Sequence, residues 1–510
     1  MRSVILLGSL IYLAGQAGCG AETGGEPEYD QNPQKLTAAS SAPKILHGVY
    51  TGNLPDAPDM PQISLAKFEA DTGIPVASVG LNAWWYHKEN WYDPSYLTAL
   101  MRKWVDPGHP EFTGHKLPVL QLGLINPPGP NDDVKENIRE HLPRAIVRGD
   151  FDEKLAELAR HFRDFKYPFM MRLMWEANGG NYSISDVTVK SWNIGMRDDD
   201  GSILVSAEDV RQAWIHVVDI FRANGAHNVI WVWSHLAWAS TQFGGSNQTS
   251  LASFYPGDDY VDWIGTECYN FFNQVPVARW TTCHSEEIQQ GYNEAASLSP
   301  IRPMMWAEWG SVSHPTRKRR KGNWIRATLD PTRRTSLPQR YPRIKAIYYW
   351  NDTRPINDLG GRLAIQDSGD AISQYSQYIQ NDIYRLKFLD NVAANQILST
   401  TYQEAGLSDE WVQQKHARLL NGLVSGTSAA SQTIKTIAGY PSSELYARSS
   451  GEFVTSMYRI FLVREPDPSG LDFWTAEIDS GRLTKDEMLS TFSTLSEFTA
   501  RMSASGILAY

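Results

Sequence analysis

Two glutamates stand where they could do chemistry. Glu176 closes the apolar run PFMMRLMWEANGG (168–180), and Glu308 lies in RPMMWAEWGS (302–311). Each run reads as a buried strand that turns polar just before a loop. A lone glutamate in such a place is most often an ion-paired strand-end residue. Two of them on strand ends of one barrel supply the acid/base and the nucleophile that retaining cleavage of a glycosidic bond requires. Arg172, four residues ahead of Glu176, has its strand parity and is expected to point inward too. A buried arginine needs a carboxylate partner, and Glu267 is a candidate for that role or for a third acid of the site.

The elements that must position these residues follow from the pattern of apolar runs. Eight β-type runs recur at 44–52, 74–82, 117–125, 169–177, 228–236, 261–270, 304–311 and 344–352. They are continuously apolar rather than alternating, as expected of parallel strands buried on both faces. Helical stretches separate them, such as 151–165 and 206–225. The latter opens on Ser206 with Asp209 in its first turn and closes on Gly225, which are N-cap and C-cap signals. Eight strands with intervening helices over 44–375 predict an α/β fold, a (β/α)₈ TIM barrel. The site then belongs at the C-terminal strand ends. A doubly wound sheet is the alternative, but no glycine-rich phosphate loop follows the first run.

Composition bounds the function. The 510 residues exceed one ordinary core, so two or three domains are expected. A net charge of −10 excludes nucleic acid as the main partner. The basic cluster RKRRK (317–321) reads as a solvated loop. There is no His-Glu-x-x-His and no Cys-x-x-Cys among the 12 histidines and 3 cysteines, so neither metal nor cofactor is expected. Gly-x-Ser-x-Gly is absent as well, which removes the α/β-hydrolase nucleophile.

The start of the chain, MRSVILLGSLIYLAGQAGCG, carries an arginine, a short apolar stretch and then small residues. It reads as an export signal over 1–19 rather than a membrane span. Gln16-Ala17-Gly18-Cys19 resembles a bacterial lipobox, so Cys19 is the expected lipidation site and the outer membrane or cell surface the expected location. Plain secretion is the alternative. Residues 20–43 are polar and aperiodic, a flexible tether. In the oxidising compartment that export implies, a disulfide between Cys268 and Cys283 is permitted. From 376 to 510 strand runs give way to amphipathic helices. AGLSDEW (405–411) echoes SGLDFW (469–474), and SSEL (442–445) echoes LSEF (495–498), a weak two-copy helical repeat.

Four motifs in order carry a resemblance to glycoside hydrolase family 26. They are MRLMWEANG (171–179), WVWSH (231–235), FYPGDDYVDWIGTECYN (254–270) and MMWAEWGS (304–311). The second helical copy, YRIFLVREPDPSGLDFW (458–474), resembles a small repeat of unestablished role attached to many bacterial extracellular proteins. The family resemblance implies an endo-acting hydrolase of a β-linked polysaccharide, in the first instance β-1,4-mannan. In it Glu176 would be the general acid/base, protonated at rest, and Glu308 the ionised nucleophile. Tyr269 matches a tyrosine that bonds the nucleophile, and Arg172 and Asn178 match the acid/base strand. Trp175 stands where the family usually has histidine. An indole donates a single hydrogen bond, so β-glucan, xylan and an acidic polysaccharide stay open as substrates. A glycan-binding protein on an inactive barrel stays open too. Aromatics past the strand ends (Trp84, Trp85, Tyr86, Trp91, Trp192, Trp238, Phe271, Phe272, Trp350) are candidates to stack sugars. Trp85 and Trp350 are the best placed among them.

Overall fold

A computed structural model describes residues 45–53, 65–87, 90–91, 93–112, 114–126, 132–140, 142–179, 183–184, 190–236, 249–270, 286–300, 302–313, 319–353, 362–381, 383–385, 391–425, 427–504 and 507. The expected signal, tether and lipidation site, Cys19 included, lie outside the described residues.

The eight apolar runs form eight parallel strands: β1 (Ile45–Asn53), β2 (Ser78–His87), β3 (Leu117–Asn126), β4 (Phe169–Leu173), β5 (Val229–His235), β6 (Trp263–Asn270), β7 (Met304–Ser311) and β8 (Ile344–Trp350). Each pairs with the next, and β1 pairs with both β2 and β8. The sheet is therefore a closed barrel with no free edge. Tyr384–Arg385 adds a short parallel bridge to the start of β1.

The helices pack outside for the reason their sequences suggest. Asp152–Phe165 buries Leu155, Leu158, Ala159, Phe162 and Phe165, the i, i+3, i+4, i+7 stripe of an amphipathic helix. Ala207–Ala223 starts from a complete capping box, Ser206 with Asp209. Phe221 and Trp214 then meet Trp231 of β5 at 5.2 and 6.1 Å. On the far side, Trp309 of β7 packs against Trp324 and Tyr349 at 5.7 and 5.0 Å. Much of the tryptophan content is thus the layer between sheet and helices.

Two expectations change. β4 ends at Leu173, and 174–177 is a turn with Met174 and Glu176 at φ +44° and +54°. A shared strand parity does not relate Arg172 to Glu176. The basic run is not simply a solvated loop either. Arg319 is exposed, but helix Arg320–Leu329 starts next to it and fully buries Lys321. Its Nζ donates to the carbonyls of Arg362, Leu363 and Ala364 at 3.3, 3.1 and 2.6 Å. Burial pulls its pKa down to about 7.

Helix Gly369–Ile379 straddles the expected domain boundary at 375/376 and packs on Arg320–Leu329. From residue 391 onward the described regular elements are all helical. Asn391–Glu404, Asp409–Ser425 and Ala430–Ala438 are followed by Ser450–Met457 with the π-helical turn Tyr458–Leu462, Pro468–Asp479 and Lys485–Ser493. Glu404 of the first set accepts from Arg448, just ahead of the second, and from Ser456 and Arg459 within it, at 2.7, 2.8 and 3.2 Å. Among the described residues no helix is long and apolar enough to cross a membrane.

Candidate active site

The C-terminal ends of β4, β6 and β7 bring three carboxylates together. One oxygen each from Glu176, Glu267 and Glu308 lies within 4.8 Å of the others. Glu267 and Glu308 are register partners on β6 and β7, just past an irregularity between Thr266 and Glu267. That bulge turns Glu308 into the barrel, a recurrent use of bulges near sites.

Arg172, with no solvent exposure, organises the acids. One terminal nitrogen donates to Glu308 Oε1 at 2.7 Å, to Gln121 at 2.5 Å and to the Tyr50 hydroxyl at 3.1 Å. The other donates to Glu267 Oε1 at 2.9 Å and Ser234 Oγ at 2.8 Å. Its register neighbour on β3 is Gln121 itself, and on β5 it is Val232, two residues before Ser234, so the strands bring both partners within reach. The room comes from glycine: a Cβ at Gly80 would collide with the Tyr50 ring. Tyr269 donates its hydroxyl to Glu308 Oε2 at 2.5 Å. Glu308 is thereby held by a donor on each oxygen.

Glu176 sits on the turn after β4 in a backbone conformation that non-glycine residues seldom adopt, of the kind that persists only when the surroundings enforce it. Here they do. Its amide donates to Ser234 O at 3.2 Å, and the Asn193 side chain donates to its carbonyl at 3.3 Å. Asn178 locks the turn to the end of β5 by giving to Leu236 O at 3.2 Å and accepting from Leu236 N at 3.0 Å. The Lys190 ammonium forms an ion pair with Glu176 Oε2.

The protonation pattern departs from the expected one. Burial pushes the Glu176 carboxyl up, but Lys190, a hydrogen bond from Glu267 and Arg172 outweigh it and bring the pKa down to about 2. The strongly raised acid is Glu267, through burial and the neighbouring charges of Glu176 and Glu308. Burial also raises Glu308, against the pull of Arg172. Charge is thus favoured on Glu176 by Lys190 and disfavoured on Glu267 by burial and its two acidic neighbours. Three carboxylates this close could chelate a cation, yet Arg172 already serves Glu267 and Glu308 and Lys190 serves Glu176. A metal ion would have to displace one of them.

The remaining candidates fall in different places. Trp175 is 3% exposed; Trp192 donates its indole N–H to the Trp175 carbonyl at 2.8 Å, and the two rings meet edge to face. Lys190 lies over the Trp175 ring, 5.4 Å from its centroid. Trp350, 6% exposed, packs on Tyr50 at 5.0 Å. The backbones of Trp84, Trp85, Tyr86 and Trp91 belong to strands, but their side chains lie outside the described residues, as do Trp238, Phe271 and Phe272 entirely. Cys268 is disulfide-bonded, its partner being outside the described residues. Lys190 was not legible in the sequence: it lies 14 residues past Glu176, beyond any helical or strand period.

Residues 96–284 match the sequence profile of Glycosyl hydrolase family 26, a span that holds Glu176, Glu267 and Tyr269 and stops short of Glu308. Residues 442–502 match Domain of unknown function (DUF4214). Endoglucanase H of Acetivibrio thermocellus is 27% identical over 235 residues, 46% of this chain and 22% of its own length. Beta-1,3-xylanase TXYA of a Vibrio species is 25% identical over 149 residues, 28% of this chain and 27% of its own. The chain thus spans about a quarter of the length of the curated relatives it matches. A solved Bacillus subtilis mannanase, man26, is similar over 68% of this chain and 88% of its own at 18% identity, with a TM-score of 0.41.

Proposed function

We propose that this chain, whose residues 96–284 belong to glycosyl hydrolase family 26, is an endo-acting glycosidase that cleaves a β-linked polysaccharide with retention of configuration. The observation that carries this reading is the convergence of Glu176 and Glu308 oxygens within 4.8 Å at the C-terminal mouth of the barrel. Retaining enzymes hold their two carboxyl groups about 5–5.5 Å apart, whereas inverting enzymes leave about 6.5–9.5 Å for a water.

In the first step Glu308 attacks the anomeric carbon while Glu176 gives a proton to the departing glycosidic oxygen. Arg172 and Tyr269 fix both oxygens of the nucleophile, so little reorientation is left for the moment of reaction. In the second step Glu176 takes a proton from water, which attacks the glycosyl-enzyme and frees Glu308. β-1,4-Mannan is the first substrate to test, with β-glucan and xylan beside it. The same reading has the chain exported and anchored through a lipid on Cys19; labelled palmitate should be incorporated by the parent and not by Cys19→Ala.

The decisive assay is reducing-sugar release from mannan, β-glucan and xylan by the parent, Glu176→Ala and Glu308→Ala. Each variant should lose about 10²-fold or more in kcat/KM. Early products read by proton NMR should keep the β configuration. Inverted products would remove Glu308 as nucleophile. Binding without release by the parent on every glycan would make this barrel a lectin instead.

A further inference from the structure

We propose that Lys321 is a positioning residue of the nucleophile. Its buried ammonium fastens segment 362–364 against β7, and that segment keeps the Tyr269 ring where its hydroxyl reaches Glu308. This rests on the hydrolase reading above and concerns what holds its nucleophile ready.

An ammonium has three donors, and Lys321 gives them to three successive carbonyls, those of Arg362, Leu363 and Ala364. Buried carbonyls need partners, and a buried cation needs several; here each answers the other. All three acceptors are neutral, and the charge of Asp367 reaches the lysine only through space. A cation bonded to neutral backbone fixes a chain path rather than balancing a charge. The close approach of two helices puts it there. A Cβ at Gly322 would collide with the Asp370 carboxylate, so helix Arg320–Leu329 lies directly against Gly369–Ile379 because residue 322 has no side chain.

The clamped segment is laid on the ends of β7 and β8. Ala364 N donates to Asp352 O at 2.7 Å, Ile365 N to Asn351 Oδ1 at 2.8 Å, and the Tyr349 hydroxyl to Leu363 O at 2.8 Å. The Leu363 side chain then fills space left open by a glycine. Its Cδ2 lies 3.2 Å from where a Gly310 Cβ would stand, and the edge of the Tyr269 ring lies 3.7 Å from the same point. Gly310 is the register partner of Tyr269 and stands two residues past Glu308. Leu363 and Tyr269 are both buried, so the ring has little room to turn. Its hydroxyl donates to Glu308 Oε2 at 2.5 Å. The other groups facing Glu308 are Arg172 on β4, Glu176 on the turn after it, Glu267 on β6 and Tyr50 on β1. A hydrogen bond to a carboxylate favours its charged form, the form a nucleophile needs. Without Lys321 three buried carbonyls lose a donor, the segment shifts, and Tyr269 loses the wall that aims it.

The test compares the acid limb of the kcat/KM–pH profile for the parent, Lys321→Met, Tyr269→Phe and the double variant, on the glycan the parent hydrolyses. Tyr269→Phe removes the hydrogen bond outright and should raise the limb by about one pH unit. Lys321→Met should raise it by about half of that or more, and the double variant should lie where Tyr269→Phe lies, because both act on one bond. An unmoved limb in Lys321→Met or in Tyr269→Phe, or shifts that add in the double variant, overturns the proposal. Leu329→Ala opens a cavity at the far end of the same helix. It should lower the melting temperature and leave the limb in place; an equal shift there would reduce Lys321 to a folding role and overturn the proposal. If Lys321→Met does not fold, Leu363→Ala takes its place with the same expectations. Carbon-13 titration of the Glu308 carboxyl, assigned through Glu308→Gln, reads the same effect in the free protein. A higher midpoint in Lys321→Met, or in Leu363→Ala, than in the parent is expected, and equal midpoints overturn the proposal. That titration stands even if the parent hydrolyses no glycan, an outcome that would sink the hydrolase reading alone.

Discussion

Arg172 serves two acids with one buried guanidinium, which makes it structural and chemical at once. Replacing it by methionine would leave Glu267 and Glu308 buried without a counter-charge. Breaking a buried pair from one side costs about 3–5 kcal/mol, so chemical denaturation of Arg172→Met should show a loss of that order together with lost activity. Lysine at 172 should restore little of either, because an ammonium cannot reproduce the two-nitrogen fork. Glu176 makes a different prediction. Its pKa is held at about 2 against an ordinary 4.5. It therefore contributes stability that is full above pH 4.5 and is lost as pH falls toward 2. At about 1.4 kcal/mol per pKa unit, the parent should lose on the order of 3 kcal/mol more than Glu176→Gln over that window, read by urea unfolding. Glu267 has the opposite sign: its raised pKa adds stability below 4.5 that is lost as pH rises through its folded value.

At the scale of elements, the site depends on a strand that ends early and a turn that does not relax. β4 stops at Leu173, and the left-handed Met174 and Glu176 swing the Glu176 carboxyl over the barrel mouth. Asn178 clasps this turn to the end of β5 through both atoms of its amide. Asn178→Ala removes two buried hydrogen bonds and leaves Leu236 polar groups unpaired, a cost of about 1–3 kcal/mol. Activity should fall more than stability suggests, because Glu176 loses its fixed position. A kcat unchanged beside a lowered melting temperature would show that the clasp serves folding alone.

At the scale of the molecule, the helical region reaches the barrel at the end opposite the site. Arg418 of helix Asp409–Ser425 pairs with Asp262 at 2.6 Å, and the other Asp262 oxygen accepts from Trp231 N at 2.9 Å. Asp262 precedes β6, so this contact lies under the strands rather than at their C-terminal mouth. Arg418 is 42% exposed, and such pairs contribute about 0–1 kcal/mol. Arg418→Ala should therefore lower stability by no more than about 1 kcal/mol and leave kcat/KM untouched. A changed kcat/KM would mean that the helical region couples to the site.

What the sequence determined by itself was the barrel, the strand ends that carry Glu176 and Glu308, and the pairing of Arg172 with acids. Buried parallel strands need continuous apolar runs, and that demand is local and readable. The partner of Glu176 was not readable, because Lys190 approaches through a loop that follows no period and is placed by its bonds to Asn193, Ala177 and Trp175. Nor could parity predict where Glu176 points, since two positive φ angles interrupt the strand. The state of the carboxylates was decided by tertiary structure alone. Which acid keeps the proton depends on distances among three glutamates, an arginine and a lysine drawn from four separate stretches of chain, and only folding sets those distances.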